Sequence, residues 1–439
     1  MATFSKIMHN RSLVIIGASE SVSNVGNWIT MMAVFAMLVF KGNGGVAQSS
    51  GVFLAGLIPT LLVSPFAGWL LDRFDRKLLM ITSELFSGLI ILGLVFTSNL
   101  VLIYAILALQ AVSISIMTPA RQAVVPDLVS REDLTRANAF FQQLAGFIKI
   151  FAPMLAGLIL AVINPHMAVV LDVISFGLSA LILSRLPCLP PHPETGEQDV
   201  SRQAKEPAGI PKPEVGASLP ANSPAHANLK LPQLMKEAPR LRLLFIMTFL
   251  AIMVIVSYDV LAPVYVKDIL SAGEQLFGTL IGLIGVGTLA ASILLMLHKG
   301  EQKPWRDVIL GGIFLAFVPA SMAAAGFISN PGLALGLTLL GSLVGGFGNG
   351  LVVVQAGTLL QLLTPPALLG RTSGVFQSTA VAGQLVGIVL TPVLVPAFFS
   401  MPIYFIIATA ALLLVFLYAI LILNGPSKSL TASHQPSGD

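Results

Sequence analysis

GWLLDRFDRKLL, residues 68–79, sets five charges within six residues, Asp72, Arg73, Asp75, Arg76 and Lys77, with long apolar runs on both sides. Only 10% of the 439 residues are Asp, Glu, Lys or Arg, and 55% are hydrophobic. Soluble domains are about a quarter charged, so most of this chain has lipid as its solvent. Crossing the hydrocarbon takes about 20 apolar residues per helix. A membrane β-barrel would show weakly alternating segments of about ten residues; the runs here are continuous and longer. The fold class is all-α and membrane-spanning, and the charged stretch is a turn between two spans.

Working outward from that turn, apolar runs fall near 12–40, 48–71, 78–97, 100–120, 137–163, 166–184, 243–266, 275–297, 308–328, 332–360, 372–397 and 401–423. That is six on each side of a polar break. The break, 187–239, holds eleven prolines and almost no large apolar residues, a composition that cannot bury enough surface to order itself. The expected organisation is a six-helix bundle over 1–186, a disordered linker over 187–239, a second bundle over 240–424 and a tail over 425–439. Residues 128–142, LVSREDLTRANAFFQ, align with 363–377, LTPPALLGRTSGVFQ, at Leu128/Leu363, Leu134/Leu369, Arg136/Arg371, Phe141/Phe376 and Gln142/Gln377. Matching helix counts and these identities read as a duplication. Parallel halves with a site between them near the bilayer midplane are a transporter architecture.

Lysine and arginine set the orientation. With the N-terminus in the cytoplasm, twenty-one of the 24 fall in cytoplasmic segments, against Lys41 and Lys267 outside and Lys149 within a span. Both termini, the linker and the charged turn are therefore expected in the cytoplasm. The N-terminus leads into the first run without a small-residue cleavage signal, and is read as retained. The net charge of +4 follows from this bias, so no nucleic acid is invoked. Cys188 stands alone, which excludes a disulfide framework or thiol metal site.

Gly68-Trp-Leu-Leu-Asp72-Arg73-Phe-Asp75-Arg76-Lys77 resembles the loop signature G-x-L-x-D-R-x-G-R-K of the major facilitator superfamily, with Asp75 in place of glycine. TPARQAVVPDLVSREDLTRANA (118–139) and APMLAGLIL (152–160) resemble its macrolide-efflux-like branch of drug exporters. The resemblance implies a bacterial inner-membrane protein with two pseudo-symmetric six-helix bundles. It implies that helices 1, 4, 7 and 10 line a central cavity, supported by helices 3, 6, 9 and 12. It also implies that the loop ties helices 2, 4 and 11 at the cytoplasmic end and holds the outward-facing state. Asp72 would then accept hydrogen bonds from the start of helix 11 near Gly370 and Arg371, as carboxylates do at helix N-termini. Arg73 and Arg121 would be its cationic partners.

Five ionisable residues fall inside the spans: Glu20, Glu84, Lys149, Asp172 and Asp259. A charge at the bilayer centre costs about 3 kcal/mol or more, so each is a functional candidate. Glu20, deep in helix 1 among Ser19, Ser23, Asn24 and Asn27, and Asp259 in helix 7 are the expected translocation residues. Glu84 and Asp172, on supporting helices, are assigned to structure. An acid at Glu20 holds a proton when dry and loses it when wet, which suits proton exchange. Lys149, one turn before Pro153, is a partner for Glu20 or Asp259, or for an anionic substrate. GFIKIFAPMLAG (146–157) resembles the helix 5 antiporter motif through Gly146, Pro153 and Gly157, with Ala152 and Ala156 replacing two glycines. Small residues there let helix 5 approach helix 8, where Gly278, Gly282, Gly285 and Gly287 are the expected mates. Drug/proton exporters carry an arginine in helix 4 where this chain has Gln110, nine residues before Pro119.

There is no HExxH, no GxSxG and no Walker loop, so the intramembrane-enzyme reading is poor and the energy source is an ion gradient or the substrate's own gradient. The expected function is export of amphipathic small molecules or drugs by proton antiport. The alternative is export of a siderophore or lipid-like metabolite. The expected partners are substrate, protons and bilayer, with no cofactor and no second subunit.

Overall fold

The computed structural model describes residues 10–130, 133–160, 162–187, 238–297, 303–365 and 368–424. Apart from its two ends, the expected linker lies outside them, as does the 425–439 tail. Among the described residues there is no strand, and twelve helices are long and apolar enough to cross a membrane. They are α1 (Arg11–Phe35, continued by a π turn over Ala36–Lys41), α2 (Val46–Arg73), α3 (Arg76–Ile91, continued by a 3-10 turn over Leu92–Val95), α4 (Leu100–Leu128), α5 (Leu134–Leu160), α6 (Pro165–Ser184), α7 (Pro239–Asp268), α8 (Glu274–Leu297), α9 (Pro304–Leu315 and, past Ala316, Phe317–Ala325), α10 (Pro331–Leu363), α11 (Leu369–Leu394) and α12 (Met401–Asn424). In hydrocarbon every backbone polar group needs an internal partner, which is why the apolar runs become helices. Side-chain caps satisfy the first free N–H groups at several ends: Asn10 under α1, Asp75 under α3, Asn99 under α4, Asn164 under α6 and Asn330 under α10. The expected spans match these helices to within a few residues, with one consequential exception. α4 runs on to Leu128 through Pro119 and Pro126, so Arg121 sits on a helix rather than in a loop.

The two halves repeat one packing scheme. α1 packs on α5 as α7 does on α11, and α2 packs on α4 as α8 does on α10. Between the halves, α5 meets α8 and α2 meets α11. These junctions are unequal along the membrane normal. At the end where α1 finishes, one apolar cluster draws on both halves, including Phe35, Leu160 and Phe176 with Tyr265, Phe277 and Phe405. Phe35 and Phe277 meet edge to face across the junction, 5.4 Å between centroids. At the end where α1 begins, each half has its own core, around Leu13, Met80 and Phe141 in the first and Leu244, Leu359 and Phe416 in the second. The halves are joined at the far end and separate at the end bearing the start of α1.

Two adjacent serines explain part of that closure. Ser49 Oγ donates to the Val260 carbonyl at 2.6 Å, and Ser50 Oγ donates to the Ile388 carbonyl. Pro392 lies one helical turn after Ile388 and has no N–H to give. That carbonyl is an orphan of α11, and a hydroxyl from the other half takes the place of the missing donor. At the α5–α8 crossing, a Cβ on Gly157 would lie 3.2 Å from Gly278 Cα, and one on Gly278 would lie 2.8 Å from the Pro153 carbonyl oxygen. Only glycine permits backbones this close.

Candidate functional site

A polar cavity sits inside the first half at mid-membrane depth. Glu20, Ser23, Asn24 and Asn27 of α1, Ser83, Glu84 and Ser87 of α3, and Thr118 of α4 supply its polar wall. Ile114, Met117 and Phe176 close the apolar side, leaving room for a few waters. Glu20 lies nine residues into α1, about 13 Å from its start.

The central contact is an ion pair: Arg121 Nε lies 2.6 Å from Glu20 Oε1, with the two side chains 17% and 15% exposed. The guanidinium also lies over the Phe141 ring, 4.7 Å from its centroid, a favourable cation–π placement. This corrects the expected pairing of Arg121 with Asp72. Because α4 continues through Pro119, residue 121 stands three turns below residue 110 on the same helical face, eleven residues giving almost a whole number of turns. An arginine therefore stands beside Glu20 on the face of α4 that carries Gln110 three turns earlier. Gln110 itself is buried and donates from Nε2 to Asn27 Oδ1 at 2.9 Å. Asn24 does not serve the Glu20 carboxylate; its Nδ2 donates to the Glu20 backbone carbonyl at 2.7 Å.

Glu84, expected to be satisfied by polar groups of neighbouring helices, lies beside Ser23 and Ser179 but is only partly satisfied. It is 4% exposed, lines the same cavity as Glu20 and leaves Oε2 buried without a hydrogen-bond partner among the described residues. Sequence reasoning set it aside because helix 3 belongs to the supporting group. The polar run Ser83, Glu84, Ser87 in an otherwise apolar helix was the available signal. Asp172 is fully buried and satisfied, accepting from Thr30 Oγ1 at 2.6 Å and Ser175 Oγ at 2.9 Å. Gly26 makes room for it, since a Cβ there would collide with the Asp172 carboxylate. Ser19 and Ser179 hydroxyls, 2.6 Å apart, and the reciprocal Ser83–Ser113 bonds complete a hydrogen-bonded interior.

The described bonds of Asp75, Arg76 and Lys77 lie within the first half. Asp75 caps α3 by accepting from the Leu78 amide at 3.0 Å. Arg76 Nη1 pairs with Asp127 Oδ2 at 2.7 Å and donates to the Ala123 carbonyl at 3.1 Å. Lys77 Nζ donates to the Leu186 carbonyl at 2.5 Å. These bonds fasten the start of α3 to the ends of α4 and α6. Arg73 and Arg371 are exposed. The surroundings of Gly68, Asp72, Lys149 and Gly370 lie outside the described side chains, so the expected clasp on α11 and the Lys149 pairing fall there too.

In the α5 motif, Pro153 and Gly157 face Gly278, and Gly282 faces Met154, while Gly146 faces open space. Gly287 departs from expectation: a Cβ there would strike Leu343, Gly346 and Phe347 of α10 rather than α5. Asp259 is half-buried on α7 and is not among the residues lining the cavity. Among the described residues no group of three or more His, Cys, Asp or Glu is placed to hold a metal ion.

Comparison with known proteins agrees with this architecture. The family described as Major Facilitator Superfamily matches residues 18–381. An uncharacterized MFS-type transporter of Bacillus subtilis, YfiS, is 24% identical over 381 residues, 86% of this chain and 85% of that one. Macrolide efflux protein A of Streptococcus pyogenes is 27% identical over 198 residues, 44% of this chain and 49% of its own. The Staphyloferrin A transporter of Staphylococcus aureus is 25% identical over 280 residues, 62% and 63% of the two chains. In fold, the chain is similar to a bacterial homologue of the iron transporter ferroportin in its inward-facing state, with a TM-score of 0.63 at 19% identity, covering 94% of this chain and 99% of that one.

Proposed function

The chain belongs to the major facilitator superfamily, and on that premise we propose that it exports amphipathic small molecules in exchange for protons. That it is a membrane transporter of small molecules and not an enzyme follows from the family; substrate and coupling are the proposal. The observation that carries it is the Glu20–Arg121 pair on the wall of a cavity that also holds a second acid, Glu84. A proton bound there changes the charge balance around Arg121, and so the packing of α1, α4 and α5 that meet at it. Alternating access converts that local change into opening at one end and closure at the other.

The excess of basic residues on one side supports a cytoplasmic start of α1 and cytoplasmic termini. The state described, sealed by Ser49, Ser50 and the Phe35–Phe277 contact, is then the one that loads from the cytoplasm. Export of a siderophore is the second reading, favoured by the length of the match to the Staphyloferrin A transporter.

Purified protein in proteoliposomes, with the interior acid and the exterior alkaline, is expected to accumulate a labelled macrolide or cationic dye. An uncoupler should abolish the accumulation. Indifference of every tested compound, siderophores included, to the imposed gradient would sink proton antiport.

A further inference from the structure

Beyond that reading, and resting on it, we propose that Glu84 is the carboxyl that takes up and releases the coupled proton, while Glu20 serves as the fixed counter-charge of Arg121. The distinction comes from what surrounds each acid. Glu20 has a committed cation 2.6 Å away. Glu84 is more deeply buried, faces the hydroxyls of Ser23 and Ser179, and has an oxygen on the cavity side of the bundle with no hydrogen-bond partner among the described residues.

Every charged or titratable group on the elements packed around Glu84 is engaged elsewhere, exposed at a helix end or itself acidic. From α1 comes Glu20, held by Arg121, while Arg11 and Lys41 lie exposed at the two ends of that span. From α4 come Arg121, divided between Glu20 and Phe141, and Asp127, held by Arg76; Tyr104 donates to the Gln48 carbonyl. From α6 come Asp172, held by Thr30 and Ser175, and His166, beside the Leu94 carbonyl; Arg185 lies exposed past the helix end. On α3 itself, Arg76 and Lys77 sit two turns away and bind Asp127 and the Leu186 carbonyl. No basic side chain pairs with Glu84 among the described residues.

A carboxylate sealed away from water without a cation is far more costly than the neutral acid, which needs only one acceptor for its O–H. Ser23, Ser179 and cavity waters can provide that acceptor. The step is simple in its balance: a proton from water adds to a carboxylate oxygen in one state and returns to water in the other. With the far end sealed, release is to the side where α1 begins. Reloading follows when the halves part at the far end.

The test uses the full-length protein in lipid. Acid-minus-alkaline infrared difference spectra should show a protonated-carboxyl C=O band that is lost in Glu84→Gln and shifted, not lost, in Glu84→Asp. In proteoliposomes, Glu84→Gln should lose transport driven by a pH gradient to a much greater extent than substrate exchange at equal pH, whereas Glu84→Asp should regain part of the gradient response. A wild-type pH response in Glu84→Gln overturns the assignment, as does persistence of the band. A sodium gradient that drives transport only when Glu84 is intact also overturns it, in favour of a cation site. If the wild type ignores pH gradients altogether, proton antiport fails, and the infrared band alone decides: its loss in Glu84→Gln still identifies the proton site, its persistence refutes it. Should Glu84→Gln not fold, the band shift in Glu84→Asp carries the same decision.

Discussion

The two halves share a packing scheme but fill it with different chemistry. The interior of the first half is hydrogen-bonded and charged: Glu20, Glu84, Arg121 and Asp172 lie among serines, threonines and asparagines. The second half is close-packed on glycine. A Cβ on Gly346 would overlap the Ile284 backbone, and Gly287, Gly348 and Gly350 meet neighbouring backbones in the same manner. Even the matching latches differ in sign. At the start of α3 an arginine, Arg76, reaches α4; at the start of α9 an aspartate, Asp307, accepts from Gln355 Nε2 of α10 at 3.1 Å. Charges in a membrane are expensive and keep their place by function, whereas small residues are the ordinary means of holding helices together in lipid. The difference teaches that one packing scheme can be held together in two ways, by buried hydrogen bonds and charge in the first half and by close glycine contacts in the second.

The largest expected effect falls on the rigid half. Gly346→Leu forces the side chain into the Ile284 backbone, an overpacking cost of about 3 kcal/mol or more, and should abolish monodisperse protein in fluorescence-detected size-exclusion. Gly357, beside which a Cβ meets nothing within 4 Å, is the matched control, and Gly357→Leu should fold. If both fold equally, the glycine packing does not set the rigidity of this half.

Next come the charges of the first half. Removing one partner of a buried ion pair is worse than removing both. Arg121→Met and Glu20→Gln should each lower the thermal midpoint, by an amount equivalent to about 1–3 kcal/mol, and the double variant should lose less than the sum. All three should transport poorly. Additive losses in a thermal-shift series would show that the 2.6 Å contact contributes no coupling.

The smallest expected effect concerns the seam between the halves. Ser50→Ala leaves the Ile388 carbonyl, already deprived of a helical donor by Pro392, buried and unpaired, at about 1–2 kcal/mol. Ser49→Ala removes a second bond from a carbonyl, that of Val260, that keeps its α7 donor, and should cost less. Ser50→Ala should therefore shift the population toward the state open at the far end more than Ser49→Ala does. Double electron–electron resonance between labels at the ends of α1 and α7 measures that shift, and equal shifts would remove the proline from the explanation.

How far the sequence reached can be read from individual residues. Pro153 and Gly157 facing Gly278 followed from the resemblance of helix 5 to a known motif, and Asp172 as a satisfied carboxyl from its place on a supporting helix. The partner of Arg121 did not. Its side of the membrane was assigned from a loop that proved to be the last turns of α4, because prolines inside a long helix look like its end in a sequence. That Glu84 shares a cavity with Glu20 was not legible either, because it depends on which face of α3 turns inward. Nor could spacing say that the Asn24 amide would bind the Glu20 backbone carbonyl rather than its carboxylate, since i and i+4 spacing brings together backbone as readily as side-chain groups.

The sequence by itself determined what is local and solvent-driven: twelve helices, their order, the two halves and the family, because lipid demands long apolar runs and closed backbone hydrogen bonds at every crossing. The tertiary structure alone decided which charges meet and at which end the halves are joined. Those depend on helix rotation and on contacts between residues such as Glu20 and Arg121, or Ser50 and Ile388, that lie 101 and 338 positions apart. A pairing of that kind is set by the distance between two side chains in space, which no periodicity along the chain encodes.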